Sequence, residues 1–364
     1  MKVIVSGGGT GGHIYPAIAI IDEIKRQVPE VQILYIGTPN SMEERVAKEQ
    51  GLDFQSIRVV GLPRKLSLKM FRTAKELMVG LAQARRVILD FDPDLVIGTG
   101  GFVSGPVLFI AALHRKKSMI HEQNSLPGLT NRILSRFVDR VATTYESSKR
   151  YFKRPDRVFV TGNPIRASLG EVDRAKSYEI YGFTDQKPTV FSFGGSNGSE
   201  SLNEAILQML QSHGEDLAFQ LIHGTGRGHY EGFMAGLKDR PLPNGVKIAP
   251  YLTDIGSAYA VSDLVIASSG AITLAEISSL GVASILIPKA YTTENHQEFN
   301  ARLYVEMGAS DMLLEDDLTG ELLYNRINAI VTDENVLKTM GENAKTLGNP
   351  NATEDIVRLA MELL

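Results

Sequence analysis

The sequence predicts an α/β protein built of two doubly wound, parallel-sheet domains. Three observations carry that expectation. At 364 residues the chain is long enough for two sizeable cores. Short apolar runs alternate with amphipathic helical stretches from end to end, which implies parallel sheets with right-handed crossovers. Each half opens with a strand followed by a glycine loop, GGGTGGH in the first and GGSNGS (194–199) in the second. The apolar runs are VIVSG, ILYIG, FQSIRVV, LVIG, SMIH and RVATT, then TVFSFG, FQLIHG, VKIAP, DLVIAS and ASILIP. Gly162-Asn163-Pro164, a turn-forming run after VFVT, is the expected join, separating 1–163 from the second half. Ligands are expected where the C-terminal strand ends of the two halves face each other.

Composition narrows the class. Apolar content of 43% and charged content of 22% are those of an ordinary globular protein. A net charge of -4 argues against a general nucleic-acid binder. With no cysteine there is no disulfide framework, zinc-thiolate site or cysteine nucleophile, which suits a reducing cytoplasm. Lys2 is followed by only three apolar residues before the glycines, so no signal peptide is expected. The uncharged stretch Leu95 to His114 is broken by Gly98, Gly100, Gly101, Gly105 and Pro106 into strand, loop and helix, not a membrane span.

The first element, Val3 to Pro16, reads VIVSGGGTGGHIYP. Val3, Ile4 and Val5 make a strand, and Ile14, Ala17, Ile18, Ile21 and Ile24 recur at helical spacing, so the glycines form a strand-to-helix turn. Such a turn lets backbone N–H groups and the helix dipole approach an anionic or polyhydroxylated ligand. His13 closes the turn, either as a helix-start packing residue or as a titrating side chain. Pro16 is read as part of the first helical turn. Gly7, Gly9 and Gly12 loosely match a dinucleotide fingerprint, but the second strand ends in Gly37 and Thr38 with no acid there for a ribose diol; the nearest acids, Glu43 and Glu44, lie past Pro39 and Asn40, which argues against NAD.

Residues 63–86 hold seven Lys or Arg, Arg64, Lys65, Lys69, Arg72 and Lys75 among them, against the single acid Glu76. Leu66, Leu68, Met70, Phe71, Leu77, Met78 and Leu81 are interleaved. This is either an amphipathic helix with a solvated basic face or a surface for anionic lipid. Arg115, Lys116, Lys117, Arg132, Arg136 and Arg140 could extend the basic rim. GTGGFVSGP (98–106) is a second glycine-lined turn, serving a ligand or close helix–strand packing. HEQN (121–124) puts four polar side chains at a strand end, suited to sugar hydroxyls or to capping the next helix.

In the second half, Ser196 and the loop amides precede a helix and suit a phosphate. Ser269, Gly270 and Ala271 open another helix after DLVIA, so two helix ends are available for a diphosphate. Glu276 is either a ribose-diol acceptor or a solvated helical side chain. Asn295, His296, Gln297 and Asn300 suit neutral hydroxylated ligands, and no metal-ligand spacing is present.

GGGTGGHIYPAIA, GTGGFVSGP, HEQNSLPGLTN, TGNPIR, FGGSNGS, SGAITLAE and ENHQEFNA fall in the order and spacing of the MurG-type transferases of peptidoglycan synthesis. Nearly the whole chain resembles that family, the undecaprenyldiphospho-muramoylpentapeptide β-N-acetylglucosaminyltransferases of GT-B fold. The resemblance implies inverting transfer of GlcNAc from UDP-GlcNAc to the 4-hydroxyl of MurNAc in lipid I, giving lipid II, on the cytoplasmic face of the membrane. It implies no cofactor or metal and no nucleic acid; anionic inner-leaflet phospholipid and other cell-wall synthesis proteins are the further partners. His13 matches the family's proposed base, with Glu122 a nearby alternative. Arg166 and Ser196 would meet the diphosphate, helped by the turn Ser269, Gly270 and Ala271; Glu276 would meet the ribose and the Leu252 main chain the uracil. Gln297, His296 and Asn124 would face the GlcNAc, and Asn300 would belong to the donor site. Thr10, Gly11 and Gly12 would line the donor, and Thr10 with Asn131 the acceptor side. The final helix, 350–364, would cross back onto the first domain, so the domains become 1–163 with 350–364, and 164–349.

Ser268 stands where the family has Arg, Asn197 where it has Gln or Arg, Ser199 where it has Ala, and Phe102 where Tyr is common. The first of these removes a cation near the donor. Two other readings stand beside lipid I transfer. One is a UDP-sugar enzyme with another acceptor, such as a diacylglycerol glycosyltransferase or a UDP-GlcNAc epimerase, against which HEQN and ENHQ argue. The other is a weakly catalytic membrane-associated scaffold, which Ser268 supports.

Overall fold

A branched apolar run with no polar alternation makes a stable strand only where both faces of its sheet are covered. Val3, Ile4 and Val5 are such a run and none is exposed to solvent. In the computed structural model, which describes residues 1–61, 69–165, 169, 172–195, 197–238, 240–292 and 295–364, they lie in the middle of a sheet. The chain divides into two units, Met1–Ile165 with Pro350–Leu364, and Arg166–Asn349.

The first unit runs β1 (Lys2–Gly7), α1 (Gly11–Gln27), β2 (Gln32–Gly37), α2 (Met42–Glu49), β3 (Asp53–Ser56), α3 (Lys69–Phe91), β4 (Leu95–Gly100), α4 (Ser104–Leu113), β5 (Lys117–Glu122), α5 (Leu129–Leu134), β6 (Arg140–Thr143) and β7 (Val158–Val160). Its seven strands are all parallel, in the order β3-β2-β1-β4-β5-β6-β7. Val3, Val5, Ile97 and Met119 face one core, with Ile14, Ile18, Ile21 and Ile24 of α1. Ile4, Val96 and Ile120 face the other, with Ala84 and Ile88 of α3 and Val107 and Leu108 of α4.

The second unit runs α6 (Arg174–Tyr181), β8 (Thr189–Phe193), α7 (Glu200–His213), β9 (Gln220–Gly224), α8 (Tyr230–Gly236), β10 (Val246–Ala249), α9 (Ile255–Val261), β11 (Leu264–Ala267), α10 (Ala271–Leu280), β12 (Ala283–Leu286), α11 (His296–Glu306), β13 (Ser310–Met312), α12 (Gly320–Val331) and α13 (Glu334–Thr346). Its parallel sheet has the order β10-β9-β8-β11-β12-β13. The chain then returns to the first unit as α14 (Ala352–Met361).

Helix α14 buries Ile356, Val357, Leu359 and Ala360 in the α1 core. At about 1.5–3 kcal/mol for each large side chain, that burial outweighs the half-exposed Arg140–Glu362 ion pair, of a kind worth about 0–1 kcal/mol. Arg140 Nη1 also donates to the Leu359 carbonyl at 2.7 Å. Arg140 therefore anchors α14 and does not belong to the basic rim expected from the sequence.

Three local expectations change. The strand expected over FQSIRVV stops at Ser56: pairing with β2 ends at Gly37↔Ser56, the Ile57 amide closes on Gly37 O, and Arg58 N turns to Gln83 Oε1 of α3. β13 has no forerunner in the sequence pattern, because three residues, Ser310, Asp311 and Met312, carry too little apolar signal to read. Pro16 lies in the second turn of α1, not the first, since the helix starts at Gly11. It supplies no amide to the Gly12 carbonyl four residues back.

Candidate functional site

In each sheet the strand order reverses once, between β1 and β4 and between β8 and β11. Doubly wound sheets bind ligands beyond the C-terminal ends of the strands at that reversal. All four loops that follow those strands are the glycine- or serine-glycine segments singled out by the sequence.

In the first unit the pairing of β1 with β4 slips by one residue, Ser6 facing Gly98 but Gly7 facing Gly100. Thr99 is the extra residue of this bulge, a device that re-aims groups next to ligand sites. Its carbonyl lies 3.0 Å from His13 Nδ1, and its Oγ1 donates to the His13 carbonyl at 2.7 Å. A carbonyl only accepts, so Nδ1 carries the ring proton and Nε2 the lone pair. Gly100, at φ +107°, leaves room for the ring: a Cβ there would lie 2.8 Å from His13 Nδ1. Beside it, Gly8 N donates to Gly100 O at 3.3 Å. Gly11 and Gly12 form the first turn of α1, and Thr10, its exposed N-cap, makes no side-chain capping bond.

Sequence reasoning missed Glu43. It is 1% exposed, and its Oε1 accepts from Thr38 Oγ1 and N–H while Oε2 accepts from Gly9 N–H. Burial raises its pKa, but these hydrogen bonds outweigh it and hold the carboxyl below its ordinary range. Glu43 therefore pins the first glycine loop. Only its spacing from β2 hints at it, and that spacing reads most readily as a question about a ribose diol.

The HEQN segment is interior, not a row of ligand contacts. His121, Glu122 and Gln123 are 0%, 1% and 1% exposed, and only Asn124 reaches partial exposure. Glu122 is not placed as a base: Oε1 accepts from Asn124 N and Nδ2, and Oε2 from Gly128 N and Asn131 Nδ2. Asn131, 2% exposed, also donates to His121 O. Both side chains shape the loop before α5.

In the second unit, the loop after β8 ends in Ser199, whose Oγ caps α7 at Leu202 N. Lys289, which sequence reasoning passed over, donates from Nζ to Gly198 O at 2.7 Å, and burial lowers its pKa against the opposing effect of Glu315. Gly270 caps α10, which begins at Ala271. Ser269 Oγ donates to Gln297 O, Asn300 Nδ2 donates to Ser269 O, and Gln297 Oε1 accepts from Lys289 N. Ser269 and Asn300 have no solvent exposure, and these bonds tie the turn before α10 to α11. Glu276, 2% exposed, accepts from Tyr259 OH at 3.0 Å, so it is not the solvated helical side chain. Leu252 lies over Gly224 at the end of β9, and His296 opens α11. Arg166 and Ser196 lie outside the described residues, as do Arg64, Lys65 and the side chains of Lys69, Phe71 and Arg72. Among the described residues no three His, Cys, Asp or Glu side chains gather to hold a metal ion.

Each unit also buries a histidine. His223 is held between Ser192 Oγ and Asn203 Oδ1, both at 3.1 Å. Burial pushes His121 and His223 from 6.5 down to about 4. The unfolded chain then binds more protons between those values, so stability falls as pH drops from 6.5 and is unaffected by these rings above it. At about 1.4 kcal/mol per unit, lowering the pH from 6.5 to 5 removes up to about 2 kcal/mol for each ring. Unfolding midpoints are expected to drop across that window, before most carboxylates titrate; constant midpoints would show that the rings are not held neutral.

The chain matches the models of the glycosyltransferase family 28 N-terminal domain over residues 3–143 and of its C-terminal domain over residues 189–356. It is 49% identical over 359 residues to the UDP-N-acetylglucosamine--N-acetylmuramyl-(pentapeptide) pyrophosphoryl-undecaprenol N-acetylglucosamine transferase of Finegoldia magna, covering 98% of this chain and 96% of that one. The protein of that name from Acetivibrio thermocellus is 45% identical, with 100% and 98% covered. The crystal structure of Acinetobacter baumannii MurG matches with a TM-score of 0.81 at 28% identity, over 99% of both chains. UDP-GlcNAc 2-epimerase from Neisseria meningitidis shares the fold, with a TM-score of 0.67 at 16% identity over 100% of both chains.

Proposed function

This chain belongs to glycosyltransferase family 28, and from that premise we infer that it moves GlcNAc from UDP-GlcNAc to the 4-hydroxyl of MurNAc in lipid I, giving lipid II for peptidoglycan. The relatives of that name match it from end to end. For the chemistry, the supporting observation is the clamp of Thr99 on His13, which leaves Nε2 as the basic atom of the ring. The acceptor oxygen attacks the anomeric carbon as the bond to UDP breaks, so the configuration inverts in one displacement. His13 Nε2 takes the hydroxyl proton, and UDP leaves with the bonding electrons.

The second unit would hold the donor. Main-chain N–H groups of the loop after β8 and of the α10 N-terminus, with Arg166 and Ser196, would meet the diphosphate and its growing charge. Glu276 would accept from the ribose diol, the Leu252 main chain would read the uracil, and Gln297 and His296 would meet the GlcNAc hydroxyls. Glu276→Ala is expected to raise the UDP-GlcNAc KM about tenfold or more, by removing a charge-assisted hydrogen bond, with kcat within about threefold. A KM unchanged in titrations of the variant would remove Glu276 from the donor site.

Transfer of labelled GlcNAc to a short-chain lipid I analogue in the presence of EDTA tests the reaction itself. Robust transfer is expected. UDP-GlcNAc binding with no transfer would favour the scaffold reading or another acceptor, with Ser268→Arg the first restoration to make.

No helix of the described residues is long and apolar enough to cross a membrane. The chain would work as a peripheral protein on the cytoplasmic face, through α3 and its neighbours. Lys75 is exposed, Met78 is 66% exposed, and Ile133 and Phe137 next to Arg132 and Arg136 are 43% and 47% exposed. Cations beside exposed apolar side chains suit anionic head groups. Charge reversal at Arg72 and Lys75 together is expected to weaken sedimentation with anionic vesicles, most at low salt; unchanged partitioning would discard this surface.

A further inference from the structure

Behind His13 lies a buried hydrogen-bond chain whose direction is fixed by backbone carbonyls. Gln123 Oε1 is 3.0 Å from His13 Nδ1. Gln123 Nε2 faces Thr99 O at 2.7 Å, His121 O at 3.2 Å and His121 Nδ1 at 3.1 Å. His121 Nε2 is 3.0 Å from Gly162 O. Two of the three groups facing Gln123 Nε2 are carbonyls, so the NH2 end of the amide must point there and its oxygen must point at His13. The Gly162 carbonyl likewise requires the proton of His121 on Nε2, which leaves Nδ1 to accept from Gln123. Every group in the chain is then paired, and reversing any one of them sets two donors or two acceptors against each other.

We propose that Gln123 and His121 are positioning residues for the transfer: together they hold His13 in the Nδ1–H tautomer and in one ring orientation, so that Nε2 faces the reaction as a proton acceptor. The inference rests on His13 being the base. With Thr99 O alone the ring could pivot about a single hydrogen bond and, once off it, take either tautomer; the second acceptor on Gln123 removes that freedom. Gln123 is in turn held at its nitrogen end by Thr99 O and by the main chain and ring of His121. The array needs an uncharged His121, since an imidazolium would turn an N–H toward the Gln123 amide nitrogen. Burial meets that need by pushing the ring down to about 4. A neutral amide behind the base, where a carboxylate would serve equally well to orient it, adds no charge to the imidazolium that forms during transfer.

The test reads ring nitrogens as well as turnover. In the 15N-histidine-labelled full chain at neutral pH, long-range proton–nitrogen spectra are expected to show opposite tautomers, His13 as Nδ1–H and His121 as Nε2–H. Gln123→Met keeps the length of the side chain and removes both polar ends. It is expected to bring Nε2–H signal into the His13 spectrum and to lower kcat at least tenfold, with the UDP-GlcNAc KM within twofold. A wild-type His13 found as Nε2–H, or a Gln123→Met chain with wild-type kcat or a wild-type His13 spectrum, overturns the proposal while an inactive His13→Ala leaves the base in place. Full turnover by His13→Ala overturns the base and the positioning role together. If Gln123→Met does not fold, the wild-type tautomers decide.

Discussion

His13→Ala is expected to lower kcat by about 10²- to 10⁴-fold, the range of a positioned general base, and to leave UDP-GlcNAc binding within twofold. That loss corresponds to about 3–5 kcal/mol of transition-state stabilisation. It falls on the chemical step because the proposed donor contacts lie mainly in Arg166–Asn349, whereas His13 opens the first helix of the other unit. The substitution also removes only a partly exposed side chain from α1. Two hydrogen bonds to Nδ1 are lost, each worth about 0.5–1.5 kcal/mol net, so the chain stays folded. Steady-state kinetics on the lipid I analogue, with a separate UDP titration, checks both halves. A raised KM at unchanged kcat would make His13 a binding group and leave the proton transfer without a base.

The sequence announced the architecture well because both sheets are covered on two faces. Runs such as Val3-Ile4-Val5 and Leu264-Val265-Ile266 are apolar throughout, and the four glycine loops mark the strand ends on either side of each reversal. It announced less of the site, for a physical reason. Polar residues at a strand end look alike whether they face ligand or interior, and spacing cannot separate the two. Glu122, Gln123, Asn131, Ser269 and Asn300 all read as ligand contacts and are all buried among hydrogen-bond partners. Glu43 reads as an acid in the wrong place for a ribose, and is the residue that pins the first loop. The bulge at Thr99, which aims a carbonyl at His13, is a matter of register between β1 and β4, and neither strand carries a residue pattern that reports it.

Gly100→Ala is expected to abolish most of the activity while sparing the fold. The added Cβ would sit 2.8 Å from His13 Nδ1 and 2.9 Å from Cε1, on a residue at φ +107°. The unusual φ costs about 1–3 kcal/mol by itself, and the overlap must be relieved by one of two movements. Shifting the backbone of β4 would break the pairing of Gly7 with Gly100 and the hydrogen bond from Gly8 N to Gly100 O. Swinging the imidazole away gives up only its bonds to Thr99 and Gln123, about 1–3 kcal/mol for the two. The ring is the softer partner, so the base leaves its place and the strand keeps its own. A kcat reduced at least 100-fold is expected, with UDP-GlcNAc binding unchanged and an unfolding midpoint lower by several degrees. Gly101→Ala is the contrast: its Cβ would lie 2.2 Å from the carbonyl oxygen of Gly8, where no side chain can yield, so stability fails first. Wild-type turnover in Gly100→Ala would mean that transfer tolerates a displaced His13, and the proton would then have to go to another group.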